Sequence, residues 1–347
     1  MGFIKRSAAV LATGALLLGA AACGGGSSTP KANADGSAAE LRLGYFPNVT
    51  HATAIYGVSS GIFQKDLGST KLSTKTFNAG PETIEALRGG ALDAAFLGPN
   101  PAINGFTQTN GTLLRIVAGT TSGGASLIAQ PDVTDVAQLA GKKVATPQVG
   151  NTQDVAAKFY LKSKNVKATV IAVANADVEA AFKSKSISAA WVPEPYASRL
   201  VINDGGKKLV DEASLWPDGK FVTTQLVVTQ AFLKKYPKTV EALLTGLLEA
   251  TDKVAAKSAD VQTAVNEALK GLSGKPLKDA VLASAFAALT PTVDPIASSL
   301  KTAAEHGVDI GVTKQADLKG IYDLTILNKL LTAAGKPTVD DAGLGVS

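Results

Sequence analysis

One cysteine, one methionine, two tryptophans and two histidines are spread over 347 residues, and aromatic residues make up 5% of the chain. A lone Cys23 forms no internal disulfide. His51 and His306 have no second His or Cys at ligand spacing, which argues against a zinc site. The chain lacks a Gly-x-Ser-x-Gly elbow, a Walker A loop and a Gly-x-Gly-x-x-Gly after a strand, the usual marks of hydrolases and nucleotide binders. Gly-rich TSGGAS at Thr121 has no Lys-Ser/Thr ending. Asp154 and Glu194 remain as possible acids or bases, and a first-turn and a loop carboxylate are their simpler readings. An enzyme is not expected, nor any cofactor or metal. Charge is scarce too: without residues 1–22 the count is 32 basic against 29 acidic residues, a net +3. That excess is spread along the chain and offers no footprint for nucleic acid.

What is present begins with an address. Lys5 and Arg6 precede an uncharged Ala/Leu-rich run to Ala22, the layout of a signal peptide over 1–22. GAAACGGGSS resembles the lipobox of bacterial lipoproteins, with Ala20 where Leu is usual, so Cys23 is the expected lipidation site. The small polar stretch 23–40 reads as a flexible tether, and the body as held at the extracytoplasmic face of a bacterial membrane.

Short apolar runs then alternate with helix-period segments. LRLGYF, KLSTKTF and AAFLG read as strands, with helices THATAIYGVSSGIF, PETIEALRGG and PAINGFTQ between and after them. This is a parallel α/β layout. The plan restarts at KKVATPQVGNTQDVAAKFYLKS. LDAAFLGPNPA at Leu92 is echoed by ISAAWVPEPYA at Ile187, Pro47 by Pro147, and Asn78-Ala79 by Asn175-Ala176, in the same order. Two lobes on one plan are therefore expected, with each Pro-X-Pro at the carboxyl end of a strand, where such sheets bind ligands. After Gln230, four successive amphipathic helices are expected to return to the first lobe.

PNVTHA at Pro47, NAGPET at Asn78, GPNPAI at Gly98 and QVGNTQD at Gln148 are loops that open helices. First-turn N–H groups and the helix dipole attract anions without Lys or Arg, although Asn, Thr and Ser also cap helices everywhere.

These segments, with WVPEPYASRLV, resemble substrate-binding proteins of bacterial ABC importers for aliphatic sulfonates, taurine and nitrate; FPNVTHA is also similar to relatives that bind thiamine pyrimidine precursors. The resemblance runs from about Leu41 to Thr229. It implies a hinged, two-lobe type II periplasmic-binding-protein-like fold with crossings near Ala125–Gln130 and Val222–Thr229. Lobe I would comprise 41–127 plus 229–347 and lobe II 128–228, the C-terminal helices packing on lobe I. It implies a monomer that captures a small organic anion, foremost an aliphatic sulfonate, and passes it to an ABC permease and its ATPase. Nitrate, a thiamine pyrimidine precursor, or an enzyme on the same scaffold are the alternatives. Carried onto this sequence, the family's ligand loops place Asn48, Thr50 and His51 at the first helix start, then Asn78, Gly80 and Pro81, Asn100, and Ser122 with Gly123. The second lobe would offer Gln148, Asn151 and Thr152, with Trp191 and Glu194, the last facing either ligand or solvent. Asn100→Ala and Thr152→Ala are expected to weaken binding while leaving unliganded stability nearly unchanged.

Overall fold

The computed structural model describes residues 30–346; the leader, Cys23 and the first part of the tether lie outside the described residues. The chain forms β1 (Glu40–Tyr45), β2 (Lys71–Thr76), β3 (Ala94–Leu97), β4 (Leu114–Gly123), β5 (Ala125–Ala129), β6 (Lys143–Thr146), β7 (Thr169–Ala172), β8 (Ala189–Pro193), β9 (Lys207–Asp211), β10 (Val222–Thr229) and β11 (Leu289–Pro291). They make a six-stranded sheet, β11-β4-β10-β3-β1-β2, and a five-stranded one, β7-β6-β8-β5-β9.

In the first sheet β1 lies parallel between β2 and β3, and β10 runs antiparallel between β3 and β4. In the second, β6 lies parallel between β7 and β8, and β5 runs antiparallel between β8 and β9. The order of the second sheet, read in reverse, therefore matches that of the first apart from the added edge strand β11, and the echoed Leu92 and Ile187 segments carry the equivalent strands β3 and β8. Pro99 opens the helix Pro99–Thr107, where its missing N–H costs nothing. Pro193 is the last residue of β8, ahead of the helix Tyr196–Asp204.

The crossings are sharper than the resemblance implied. The chain leaves the first sheet at Gly123 and enters the second at Ala125; Gly123 and Gly124 make the turn at φ +76° and +80°, backbone that favours glycine. The return precedes Val222, because all of β10 pairs in the first sheet.

Pro237 splits the first of the expected C-terminal helices into Gln230–Lys235 and Pro237–Ala255, as proline does inside a helical run. Ala259–Ser273, Asp279–Ala287, Ala297–Asp309 and Thr325–Ala333 follow. Leu243, Leu247, Val265, Phe286 and Leu300 join Leu43, Phe63 and Phe96 in one core around the first sheet. The second sheet is covered by two smaller cores, around Trp191 and around Phe182.

One expectation fails at the near end. From Pro30 the tether is docked, not free. Asn33 Nδ2 donates to Ala38 O at 3.0 Å, Asp35 Oδ1 accepts from Ser37 N at 3.0 Å, and Ala38 N donates to Thr239 Oγ1 at 2.8 Å. Asn, Asp and Ser make turns through their own side chains as readily as they make linkers.

Candidate ligand-binding cleft

Four helix starts meet in the gap between the sheets. Ala52–Ser59, with its leading turn Val49–His51, follows β1; Gly80–Arg88 follows β2; Pro99–Thr107 follows β3; Thr152–Ser163 follows β6. Residues of all four starts line one compartment of ≈ 20 Å³, among them Asn48, His51, Gly80, Gly98 and Thr152. A second compartment of ≈ 20 Å³ lies on the other side of Thr152, lined by Asn100, Val155, Glu212, Trp216, Phe221 and His306 with others. Each has room for about one water-sized group. A Cβ on Gly98 would lie 2.2 Å from Thr152 Oγ1, so the absence of a side chain there is what lets the two lobes approach so closely.

The donors are neutral. Asn151 Oδ1 accepts from Asp154 N at 2.8 Å, which leaves the first-turn N–H groups of Thr152 and Gln153 beyond intrahelical reach of an acceptor. Glu82 folds back to accept from Ala79 N at 3.2 Å and from Asn78 N. His51 Nδ1 accepts from Phe46 N at 3.3 Å, so the neutral ring carries its proton on Nε2. Burial holds this imidazole at about 3, so it stays neutral at physiological pH. No Lys or Arg lines either compartment. Positive potential at the cleft therefore comes from helix starts.

The echoed asparagines clasp across the gap. Asn175 N donates to Asn78 Oδ1 at 3.1 Å, and Asn78 Nδ2 donates to Pro147 O at 3.2 Å. Val49 N donates to Glu194 O at 3.0 Å, and Lys162 pairs with Asp309 at 2.8 Å. Asn78→Ala removes two hydrogen bonds that join the lobes. Ligand affinity is expected to fall about tenfold, with unliganded melting almost unchanged, by titration and thermal scan.

A sequence model of the NMT1-like family matches residues 34–268. The chain belongs to the NMT1-like family. A Brucella abortus (strain 2308) protein assigned as a binding protein is 25% identical over 218 residues, 61% of this chain and 66% of that one. An Escherichia coli (strain K12) protein assigned to aliphatic sulfonate binding is 28% identical over 202 residues, 56% of this chain and 61% of its own length. These matches span a little under two thirds of the curated relatives' length. The alkanesulfonate-binding protein SsuA from Xanthomonas axonopodis pv. citri, bound to MOPS, superposes with TM-score 0.69 at 20% identity, covering 80% of this chain and 96% of that one. The nitrate-binding protein NrtA from Synechocystis gives 0.70 at 17% identity, covering 86% and 90%. The NMT1-like chain thus has the two-lobe periplasmic-binding-protein fold.

Of the residues expected to bind, the NMT1-like chain brings Asn48, Thr50, His51, Asn78, Gly80, Asn151 and Thr152 to the first compartment, and Asn100 with Thr152 to the second. Pro81, Ser122, Gly123, Gln148, Trp191 and Glu194 line neither. Trp191 is fully buried and donates from Nε1 to Glu212 Oε2 at 2.7 Å. Glu194 turns its carboxylate to Ser198 N at 3.1 Å, capping the next helix, and reaches the other lobe only through its main chain. Burial raises this carboxyl. Ser122 Oγ accepts from Phe221 N at 3.4 Å, and Gly123 O accepts from Thr223 Oγ1 at 2.6 Å. Asp154 is enclosed by Thr146, Gly150 and Lys158, which leaves it a structural carboxylate.

Two expected ligand groups have structural work. Asn151 caps its helix. Asn100 Nδ2 donates to Ala303 O at 2.9 Å and ties two lobe I helices together, so Asn100→Ala removes a buried hydrogen bond and costs fold stability as well as any affinity. The sequence reading missed Asn175, Thr223 and Thr224 in the first compartment and Glu212, Trp216 and His306 in the second. Only Asn175 left a signal, its echo of Asn78.

Proposed function

We propose that this chain is an extracytoplasmic binding protein that captures a small organic oxyanion, foremost an aliphatic sulfonate, between its lobes and delivers it to an ABC permease. The observation that carries this reading is the meeting of four helix starts from both lobes on one compartment without a single cationic side chain. First-turn amides with the neutral His51 and Asn48 suit a singly charged oxyanion, whose oxygens each take several donors. The second compartment, walled by Val155, Trp216 and Phe221, favours a ligand with a carbon chain over bare nitrate. The sulfonate assignment of the Escherichia coli relative points the same way. The leader, Cys23 and the resemblance in sequence support attachment to the outer face of the membrane through a lipid on Cys23.

Thermal scans with alkanesulfonates, nitrate and pyrimidines test the reading. A ligand at a hundred times its Kd stabilises by about 2.7 kcal/mol, so a clear upshift with ethanesulfonate is expected. An upshift with nitrate or a pyrimidine alone would replace the ligand class, and none with any compound would remove the reading.

A further inference from the structure

The tether joins lobe I at a face that carries lysines. Tyr236, buried between the helices Gln230–Lys235 and Pro237–Ala255, donates from its hydroxyl to Pro30 O. Lys238 Nζ donates to Asp35 O at 2.8 Å, and Lys235 Nζ lies 5.2 Å from the centre of the Tyr236 ring. Lys31 follows Pro30, and its carbonyl accepts from Ala39 N at 2.7 Å. Lys31, Lys234, Lys235 and Lys238 thus gather where the chain enters the body, and all four are exposed. Among the described residues none of them is ion-paired. Residues 1–29 contain no acid. Asp35 is the carboxylate within the cluster, its Oδ1 accepting from Ser37 N at 3.0 Å and Ser37 Oγ at 2.7 Å. Nearby Glu40 and Glu241 pair instead with Lys71 at 3.8 Å and Lys329 at 2.8 Å. Four lysines against Asp35 leave a surplus of three positive charges.

Chain length decides what this face meets. Seven residue steps separate Cys23 from Pro30, and covalent geometry limits them to about 25 Å however they are arranged. A lipid on Cys23 therefore keeps Pro30, and the lysines beside it, within that distance of the bilayer. Contact with the headgroups is then intramolecular, so a weak attraction suffices. The cluster also lies at the amino ends of β1 and β2: Thr70 Oγ1, just before β2, donates to Ala38 O at 2.6 Å. Asn48 and Asn78 of the cleft follow the opposite ends of these strands, and six residues of strand span about 20 Å. A body seated on its lysines holds the cleft clear of the headgroups.

We propose that this face of lobe I is a docking surface for anionic lipid headgroups, contacted by Lys31, Lys234, Lys235 and Lys238. It goes beyond anion capture and rests on attachment through Cys23. Each lysine near an anionic surface shifts the equilibrium about fivefold, so three surplus charges favour the docked pose about a hundredfold at low salt. Salt weakens it, because the screening length falls from about 10 Å at 0.1 M to about 3 Å at 1 M. Lobe II has exposed lysines of its own, Lys142, Lys143, Lys185 and Lys207, at the amino ends of its strands. They lie across the cleft from the tether and are expected to stay free of the lipid.

The test is lysine labelling of the full chain purified from bacterial membranes. It is placed in vesicles of phosphatidylcholine, or of equal parts phosphatidylcholine and phosphatidylglycerol, and treated with a membrane-impermeant acetylating reagent. Peptide mass spectrometry reads each lysine against those of lobe II. On the anionic vesicles Lys31, Lys234, Lys235 and Lys238 should react at least about tenfold more slowly than on neutral ones, and 1 M salt should restore them. Lys234→Gln combined with Lys235→Gln should cut the protection of Lys31 and Lys238 to about fourfold or less. Equal rates on both vesicles overturn the surface, as does protection of lobe II instead, or protection that 1 M salt leaves intact. Protection that appears only when membranes carrying the permease are added overturns it too, and assigns the lysines to a protein partner. Flotation separates the two readings. A chain that floats with neutral vesicles yet reacts equally on both keeps its anchor and loses the surface. One that floats with anionic vesicles alone keeps the surface and loses the anchor, and one that floats with neither loses both. Should the variant fail to fold, the wild-type comparison still decides.

Discussion

Between pH 6.5 and 3 the protein is expected to lose on the order of 5 kcal/mol of folding stability through His51 alone, and His51→Gln to lack that loss. Burial beside Phe46, whose ring lies 4.3 Å away, holds the imidazole at about 3 against the usual 6.5. The unfolded chain takes up a proton below 6.5 and the folded one does not. The contribution is therefore complete above pH 6.5 and disappears as pH falls through 3. Urea unfolding of both proteins across this range measures it. Other acid-sensitive groups act on both chains alike, so the readout is the gap between the two curves. That gap should change steadily from 6.5 downward, whereas parallel curves would contradict a buried neutral ring.

Glu212 gives the second large effect, with the opposite sign. Burial raises its carboxyl to about 7 against 4.5. Between those values the folded chain keeps a proton that the unfolded chain has released. Stability from this group is complete below pH 4.5 and is lost as pH rises through 7, by on the order of 3 kcal/mol. Glu212→Gln should abolish the dependence, so variant and wild type diverge progressively from 4.5 to 7. From 4.5 to 6.5 the two groups oppose one another, and the wild-type curve flattens there. A Glu212→Gln profile that tracks wild type across the window would mean that the carboxyl is solvated.

The fold was legible where its information is local. Each lobe repeats strands, a proline after the first of them and an Asn before a helix, and such patterns survive in a single sequence. The clasp between Asn78 and Asn175 follows from that repeat, because equivalent loops of two matched sheets face each other. The site was legible only as helix starts. Asn48, His51 and Thr152 reach the first compartment because first-turn residues sit at strand ends. Trp191 and Glu194 share that sequence context, yet one side chain enters the core and the other caps a helix; the alternation of a strand and the capping of a turn decided against the ligand. Glu212, Trp216 and Phe221 come from one stretch before β10, and only the return of the C-terminal helices brings His306 to them. No periodicity announces such a meeting. The docking of Pro30 to Ala39 was hidden for a different reason: Asn, Asp and Ser serve turns and linkers alike.

The central claim is that neutral donors from both lobes hold one small oxyanion, and calorimetric titration of ethanesulfonate into wild type and Thr152→Ala tests it most directly. Three or four charge-assisted hydrogen bonds supply about −8 kcal/mol, so one site per chain with roughly micromolar Kd is expected. Thr152→Ala should weaken it about tenfold without moving the urea midpoint of the unliganded protein. No heat with wild type, or full affinity retained in Thr152→Ala, would contradict the account.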